Sequence, residues 1–377
     1  MTRVMTVAGT RPELIRLSRV LARLDATLDH VLVHTGQNWD PALSDVFFGE
    51  LGLPRPERNL GVDPSSLGTV LAGVLTGVET AITELRPDAL LVLGDTNSCI
   101  AALMARRMRV PVYHMEAGNR CFDLNVPEET NRRLVDHVSD FNLVYSEHAR
   151  RNLLAEGLHP RRIMYTGSPM REVLDHYRPQ IEASTVLDRL GLEPGAYFAV
   201  SAHREENVDD PDRLRRLLGC LRAVRERWRL PVLVSTHPRT RKRLDGIAAD
   251  PGSPDGITFH PPFGFFDYVH LQQHARCTLS DSGTISEESA ILGFPAVSLR
   301  ESIERPEALD TGVTLLTGLD AAGVLEAVDV ATGQRAACPD DYRVPDTSHR
   351  VVRFVLSTVR RHHDWAGLRR PAAEAPR

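Results

Sequence analysis

Short apolar runs alternate with helical patterns from one end of the chain to the other, and nothing else in the sequence constrains the fold as much. A buried run of four or five residues followed by amphipathic spacing is the mark of a βα unit, so the chain is expected to be α/β, with parallel sheets covered by helices. Residues 4–8 read as a first strand. Gly9-Thr10 turns the chain, Pro12 suits the first turn of a helix, and Leu17, Val20, Leu21 and Leu24 then repeat at helical spacing. Residues 31–34, 89–93, 112–115, 142–145 and 163–165 continue this series. A second series runs through 197–200, 232–235, 257–260, 278–279 and 296–299 and ends at 313–316.

At 377 residues the chain is too long for one core and suits two domains of roughly 150–190 residues. The stretch 168–195, with scattered Pro and Gly, separates the two series. It predicts domains over 1–169 and 170–350, with an amphipathic helix over 351–366 packing back on the first. Two facing α/β domains leave a cleft, where a ligand is expected, and in parallel sheets the loops at the carboxyl ends of strands carry the site.

Hydrophobic residues at 42% and charged residues at 25% are those of a folded chain rather than a disordered one. A net charge of −5 supplies no global basic field, so neither nucleic acid nor membrane is an expected partner. Lys242 is the sole lysine among 45 basic residues, which rules out a Gly-Lys-Ser/Thr phosphate loop because Arg241 precedes it. No two glycines stand one residue apart, so the Gly-x-Gly-x-x-Gly dinucleotide fingerprint is missing and nicotinamide chemistry is disfavoured. There is no His-Glu-x-x-His, and Cys99, Cys121, Cys220, Cys277 and Cys338 are widely spread with no Cys-x-x-Cys. Neither a metal site nor a disulfide framework is expected, and a reduced, cytoplasmic chain is.

Four polar clusters sit at strand ends. Gly9-Thr10-Arg11-Pro12-Glu13 puts a guanidinium at a helix N-terminus, suited to phosphate, though an Arg can equally pair with Glu13. Gly94-Asp95-Thr96 ends an all-apolar strand with a carboxylate that is either functional or a helix cap. His114-Met115-Glu116-Ala117-Gly118-Asn119-Arg120 and Pro127-Glu128-Glu129-Thr130-Asn131-Arg132-Arg133 add two carboxylates in a stretch dense with Arg. A first-turn Glu128 also favours the helix dipole and an i,i+4 pair with Arg132. The fourth cluster joins Ser201-Ala202-His203-Arg204-Glu205-Glu206-Asn207 to Asp281-Ser282-Gly283-Thr284, whose backbone N–H groups at a helix start suit a pyrophosphate or serve as a plain cap. Together these residues outline a nucleotide-diphosphate site with Asp95, Glu116 and Glu128 as candidate acids or bases.

The motifs resemble the non-hydrolysing UDP-N-acetylglucosamine 2-epimerase family over nearly the whole chain. The resemblance rests on Gly9–Glu13, Gly94-Asp95-Thr96, Glu116-Ala117-Gly118 with Pro127-Glu128-Glu129, His203-Arg204, Ser280-Asp281-Ser282-Gly283 and Glu304-Arg305-Pro306-Glu307. It implies two Rossmann-like domains in the GT-B arrangement, an active site in the interdomain cleft, a UDP-sugar substrate, no cofactor and a homodimer. It implies that Asp95, Glu116 and Glu128 are the acid/base carboxylates and that His203 acts with them, His203 and Arg11 stabilising the leaving diphosphate. Arg11, Arg16, Arg132, Arg204, Tyr268, Ser282, Gly283, Thr284, Glu288 and Arg305 become the substrate-binding set, with Tyr268 near the uracil and Glu288 on the ribose.

The chain departs from the family at several points. Arg16 stands where Lys is frequent, Gln37-Asn38 where the loop for an activating second substrate has Gln-His, and His203-Arg204-Glu205-Glu206 in place of His-Arg-Arg-Glu. The stretches 116–123 and 145–151 are similar to the branch acting on modified UDP-N-acetyl sugars, such as UDP-L-N-acetylfucosamine precursors or diacetamido-uronic acids. The rivals are a hydrolysing epimerase that releases UDP and N-acetylmannosamine, and a GT-B glycosyltransferase.

Overall fold

The computed structural model describes residues 1–36, 48–247 and 256–368, so Gln37 and Asn38 lie outside the described residues. The chain forms two compact units. One comprises Met1–Gly118, Thr130–Glu172 and Pro345–Arg377; the other comprises Asn119–Glu129 and Val173–Val344.

The first unit is built on seven described strands: β1 (Arg3–Ala8), β2 (Asp29–His34), β3 (Arg58–Asn59), β4 (Ala89–Leu93), β5 (Val112–Met115), β6 (Phe141–Val144) and β7 (Ile163–Tyr165). All pair in parallel, in the order β3-β2-β1-β4-β5-β6-β7, with Met5 opposite Leu90 and Leu91 opposite Tyr113. Helices cover both faces, which is why β4 reads as an unbroken apolar run and is buried at every position. Helix α1 (Arg11–Thr27) turns Leu14, Leu17, Val20, Leu21 and Leu24 inward. Helix α2 (Leu67–Leu85), started by a Ser66/Thr69 capping box, contributes Val70, Val74 and Val78 to a core with Met5, Val7, Val33, Leu90 and Val92. Each such side chain stabilises the fold by about 1.5–3 kcal/mol. Strand β3 is not predicted by the sequence, because Arg58-Asn59 has no apolar run; as an edge strand against Val33 and His34 it needs none. Helices α3 (Glu128–Val138) and α4 (Glu147–Ala155) follow β5 and β6.

The second unit has six described strands: β8 (Phe198–Ser201), β9 (Val232–Ser235), β10 (Ile257–His260), β11 (Cys277–Ser280), β12 (Ala296–Ser298) and β13 (Leu315–Leu316). They too are parallel, in the order β10-β9-β8-β11-β12-β13. The short helix α5 (Glu205–Val208) follows β8, and α6 (Pro211–Trp228) lays Leu214, Leu217, Leu221 and Val224 on Phe198, Val200, Val297 and Leu299. Helices α7 (Phe265–His274), α8 (Ile285–Leu292) and α9 (Ala321–Gly333) belong to the same unit.

The C-terminal segment belongs to the first unit, but the single helix expected over 351–366 is replaced by α10 (Thr347–Thr358) and a short α11 (His362–Trp365). Apolar spacing hid the true start. The first turn is polar and is held by Glu172, which accepts from the backbone N–H (2.8 Å) and hydroxyl of Ser348. Phe354 then packs edge-on against Tyr113 and Phe141, and Tyr113 bonds Thr358 at 2.7 Å. Among the described residues no helix is long and apolar enough to cross a membrane.

Candidate active site

In each sheet the strand order reverses beside the first strand of its series, between β1 and β4 in one unit and between β8 and β11 in the other. Connections leave such a reversal in opposite directions, opening a crevice at the carboxyl ends of the strands. The four polar clusters lie at or beside these two places.

In the first unit the loop after β1 is stapled by Glu13. Its fully buried carboxylate accepts from the Gly9 N–H (3.0 Å), the Thr10 hydroxyl (2.8 Å) and the Ser98 hydroxyl, bridging the β1 and β4 loops. Burial raises its pKa despite these hydrogen bonds. Arg11 opens α1 on the exposed surface. Arg16, one turn further along α1, is buried and its guanidinium pairs with Glu116. Glu116 ends β5 with a φ of +64°, a left-handed conformation that costs a non-glycine residue about 1–2 kcal/mol and is typical of functional positions. Asp95, at the end of β4, is gripped by Arg132 of α3 (Nε to Oδ2, 2.7 Å), and Asn131 donates to its main-chain carbonyl at 2.9 Å. Two carboxylates thus stand at the ends of adjacent strands, each paired with an arginine. The Gly94 N–H, donating to the Met115 carbonyl at 3.0 Å, ties the two loops together.

In the second unit Asp281 spans the reversal. Its fully buried carboxylate accepts from the backbone N–H groups of His203 and Arg204 and from the Asn207 amide, all at 3.1 Å. His203 Nδ1 stands 3.6 Å from the same carboxylate, beyond hydrogen-bond distance, and two-fifths of the side chain is exposed, so Asp281 anchors the backbone of His203 and leaves the ring accessible. Arg204 lies among Glu304, Glu206, Glu128 and Asp281, whose charges outweigh desolvation and raise its pKa. Ser282 and Thr284 share a 3.1 Å hydroxyl contact at the start of α8. Glu288, one turn on, accepts from Gln272 at 2.8 Å; burial raises its pKa, and its charge lies near the Tyr268 hydroxyl, which burial also pushes up. Arg305 is buried beneath Gly283 and pairs with Glu287 (3.0 Å) and Glu304 (2.9 Å). Among the described residues no group of three or more His, Cys, Asp or Glu side chains is placed to hold a metal ion.

The structure therefore gathers Asp95, Glu116, Arg16 and Arg132 in one unit. It gathers Glu128, His203, Arg204, Tyr268, Ser282, Gly283, Thr284, Glu288 and Arg305 in the other. Sequence reasoning missed the groups behind them: Asp136, Ser98, Gln272 and Arg300. The available signal was slight, though Asp136 lies four residues after Arg132 on the same helix face.

A family profile described as UDP-N-acetylglucosamine 2-epimerase matches residues 22–356. The chain is 42% identical to the structure of UDP-N-acetylglucosamine 2-epimerase from Rickettsia bellii, over 96% of this chain and 98% of that one, with a TM-score of 0.89. It is 31% identical, also with a TM-score of 0.89, to the Methanocaldococcus jannaschii UDP-GlcNAc 2-epimerase solved in complex with UDP-GlcNAc and UDP, over 95% of this chain and all of that one. It is 32% identical to the UDP-2,3-diacetamido-2,3-dideoxy-D-glucuronate 2-epimerase of Pseudomonas aeruginosa, over 88% of this chain and 93% of that protein. Fold and matches define an isomerase of the UDP-sugar epimerase class on a GT-B-like fold. The chain belongs to the UDP-N-acetylglucosamine 2-epimerase family.

Proposed function

We propose that this enzyme inverts C2 of UDP-N-acetylglucosamine, or of a modified UDP-N-acetylhexosamine, without hydrolysis, by eliminating UDP and adding it back. The C2 hydrogen is not adjacent to a carbonyl, so simple deprotonation and return has no stabilised anion to pass through. In anti elimination a carboxylate takes the C2 proton, the C1–C2 double bond forms, and the C1–O bond breaks with its electron pair leaving on UDP. In the return step an acid delivers a proton to the other face of C2 and the diphosphate oxygen attacks C1. The observation that carries this reading is the pair of arginine-held carboxylates, Asp95 and Glu116, at the ends of adjacent strands. Glu128 completes the acid/base set, and no carboxylate is assigned to a particular face. His203, whose backbone N–H is held by Asp281, and Arg11 meet the charge that develops on the leaving diphosphate. Ser282, Gly283, Thr284 and Glu288 hold the nucleotide, with Tyr268 at the base and Arg16, Arg132, Arg204 and Arg305 supplying positive charge. A homodimer and a cytoplasmic setting fit the same reading.

The test is an NMR time course with UDP-N-acetylglucosamine in deuterated water, without added nicotinamide. Deuterium at C2 together with UDP-N-acetylmannosamine is the expected result. Free N-acetylmannosamine and UDP would replace the reading with the hydrolysing one. Absence of exchange with this sugar and with its deoxy and uronic analogues would overturn it.

A further inference from the structure

One buried group is used by none of these roles. His114 lies in the first sheet, near the carboxyl end of β5, with 1% of its surface exposed. Its Nε2 is 2.7 Å from the main-chain carbonyl of Gly94, and its Nδ1 is 2.9 Å from Oδ1 of Asp136 on α3. A carbonyl only accepts, so Nε2 carries a proton. Asp136 is itself fully buried and already accepts the Gly118 N–H on both oxygens, at 3.2 and 3.1 Å. Both oxygens thus act as acceptors, and Nδ1 facing Oδ1 is placed to donate a proton as well.

The contacts of this ring map onto the two loops described above. Gly94 immediately precedes Asp95, and Gly118 follows Glu116 by two residues. Along α3, Arg132 holds Asp95 while Asp136, four residues later on the same face, holds His114 and Gly118. The ring therefore touches one loop directly, at the Gly94 carbonyl, and the other through Asp136, which holds the Gly118 N–H. We propose that His114 is a doubly protonated positioning residue, an imidazolium paired with Asp136, that sets the separation and charge state of Asp95 and Glu116. The proposal rests on the reading of those two carboxylates as acid/base groups.

The surroundings agree. Burial alone pushes the His114 pKa down, but the hydrogen bond and charge of Asp136, the Gly94 carbonyl and the charge of Glu116 outweigh it, and the net direction is upward. Close by, Arg16 pairs with Glu116, Glu13 lies buried with its carboxylate on Gly9, Thr10 and Ser98, and burial and the charges of Asp95, Glu13 and Asp136 push the Cys99 thiol well up and so keep it neutral.

Two measurements on the full-length enzyme test this. The first uses the unaltered protein: ¹⁵N spectra of the histidine rings between pH 6 and 9, with His114 assigned by its loss in H114Q. Both ring nitrogens protonated at pH 7 is the expected result, and a neutral His114 ring at pH 7 would overturn the proposal whatever the substrate is. The second compares H114Q and D136N with the wild type. Kcat should fall ten- to a hundredfold while KM and the Kd for UDP change less than threefold. In H114Q the acid limb of the kcat profile should move to higher pH, because Glu116 loses a neighbouring positive charge while Asp136 stays. A folded H114Q with the wild-type kcat and pH profile would overturn it. So would a uniform loss in which kcat, UDP affinity and thermal stability fall together in both variants. No turnover by the wild type would instead count against the epimerase reading, and the ring spectrum alone would then decide the protonation of His114.

Discussion

The guanidinium of Arg16 donates to the carboxylate of Glu116 across 100 residues of sequence, and both side chains are less than a tenth exposed. Removing one partner of such a pair leaves a buried charge unmet, at a cost of about 3–5 kcal/mol. Arg16→Met is expected to destabilise the protein by about that amount in urea, whereas the double variant R16M/E116Q should recover part of the loss. A double-mutant cycle with no coupling between the two positions would show that the pair contributes nothing.

Gly118 is expected to tolerate no side chain. Its φ is +81°, and a Cβ there would lie 2.4 Å from the carbonyl oxygen of Ala149 on α4. Gly157 has a similar φ of +86° with nothing within 4 Å, so it isolates the conformational part. Gly157→Ala should cost about 1–2 kcal/mol and Gly118→Ala at least about 3 kcal/mol more, read by thermal unfolding. Equal losses would mean that α4 moves aside.

The UDP reading of the second unit is tested at Gly283. A Cβ there would meet Glu304 Oε1 at 2.7 Å and Arg305 Nη1 at 3.0 Å. Neither can retreat freely, because Glu304 is clamped by Arg300 (2.6 Å) and Arg305 (2.9 Å). Gly283→Ala should shift the turn between Ser282 and Thr284 and weaken UDP binding at least tenfold by calorimetry. An unchanged Kd would remove this turn from the nucleotide site.

Acid should weaken the first unit through His34. The ring is 4% exposed, its Nδ1 accepts the Gly36 N–H at 2.9 Å, and burial pushes its pKa from 6.5 down to about 4. The unfolded chain therefore binds this proton first. The contribution is intact above pH 6.5 and is lost as pH falls to about 4, amounting to about 3 kcal/mol. His34→Asn, whose amide oxygen can accept the same N–H, should flatten the curve in denaturant melts from pH 4 to 8. His114 acts in the other direction: its raised pKa gives stability that is present below pH 6.5 and lost as pH rises through the folded value.

Much of this was legible beforehand. Runs such as 89–93 and 112–115 are read correctly to the residue, because strands buried on both faces must be continuously apolar. The two-residue strand at Arg58 and the polar first turn of α10 at Thr347 were not legible, since each depends on a partner elsewhere in the chain, Val33 and His34 for one and Glu172 for the other.

By itself the sequence determined which loops end strands and which charged residues they carry, because periodicity, glycines and caps act within a few residues. Only the tertiary structure decided that Glu116 meets Arg16, that Asp95 meets Arg132, that Asp281 holds His203, and that His114 lies between Gly94 and Asp136. Those pairings follow from the order in which strands come together in the sheet. That order is set by crossover connections and by burial summed over a whole unit, and no local stretch of sequence contains it.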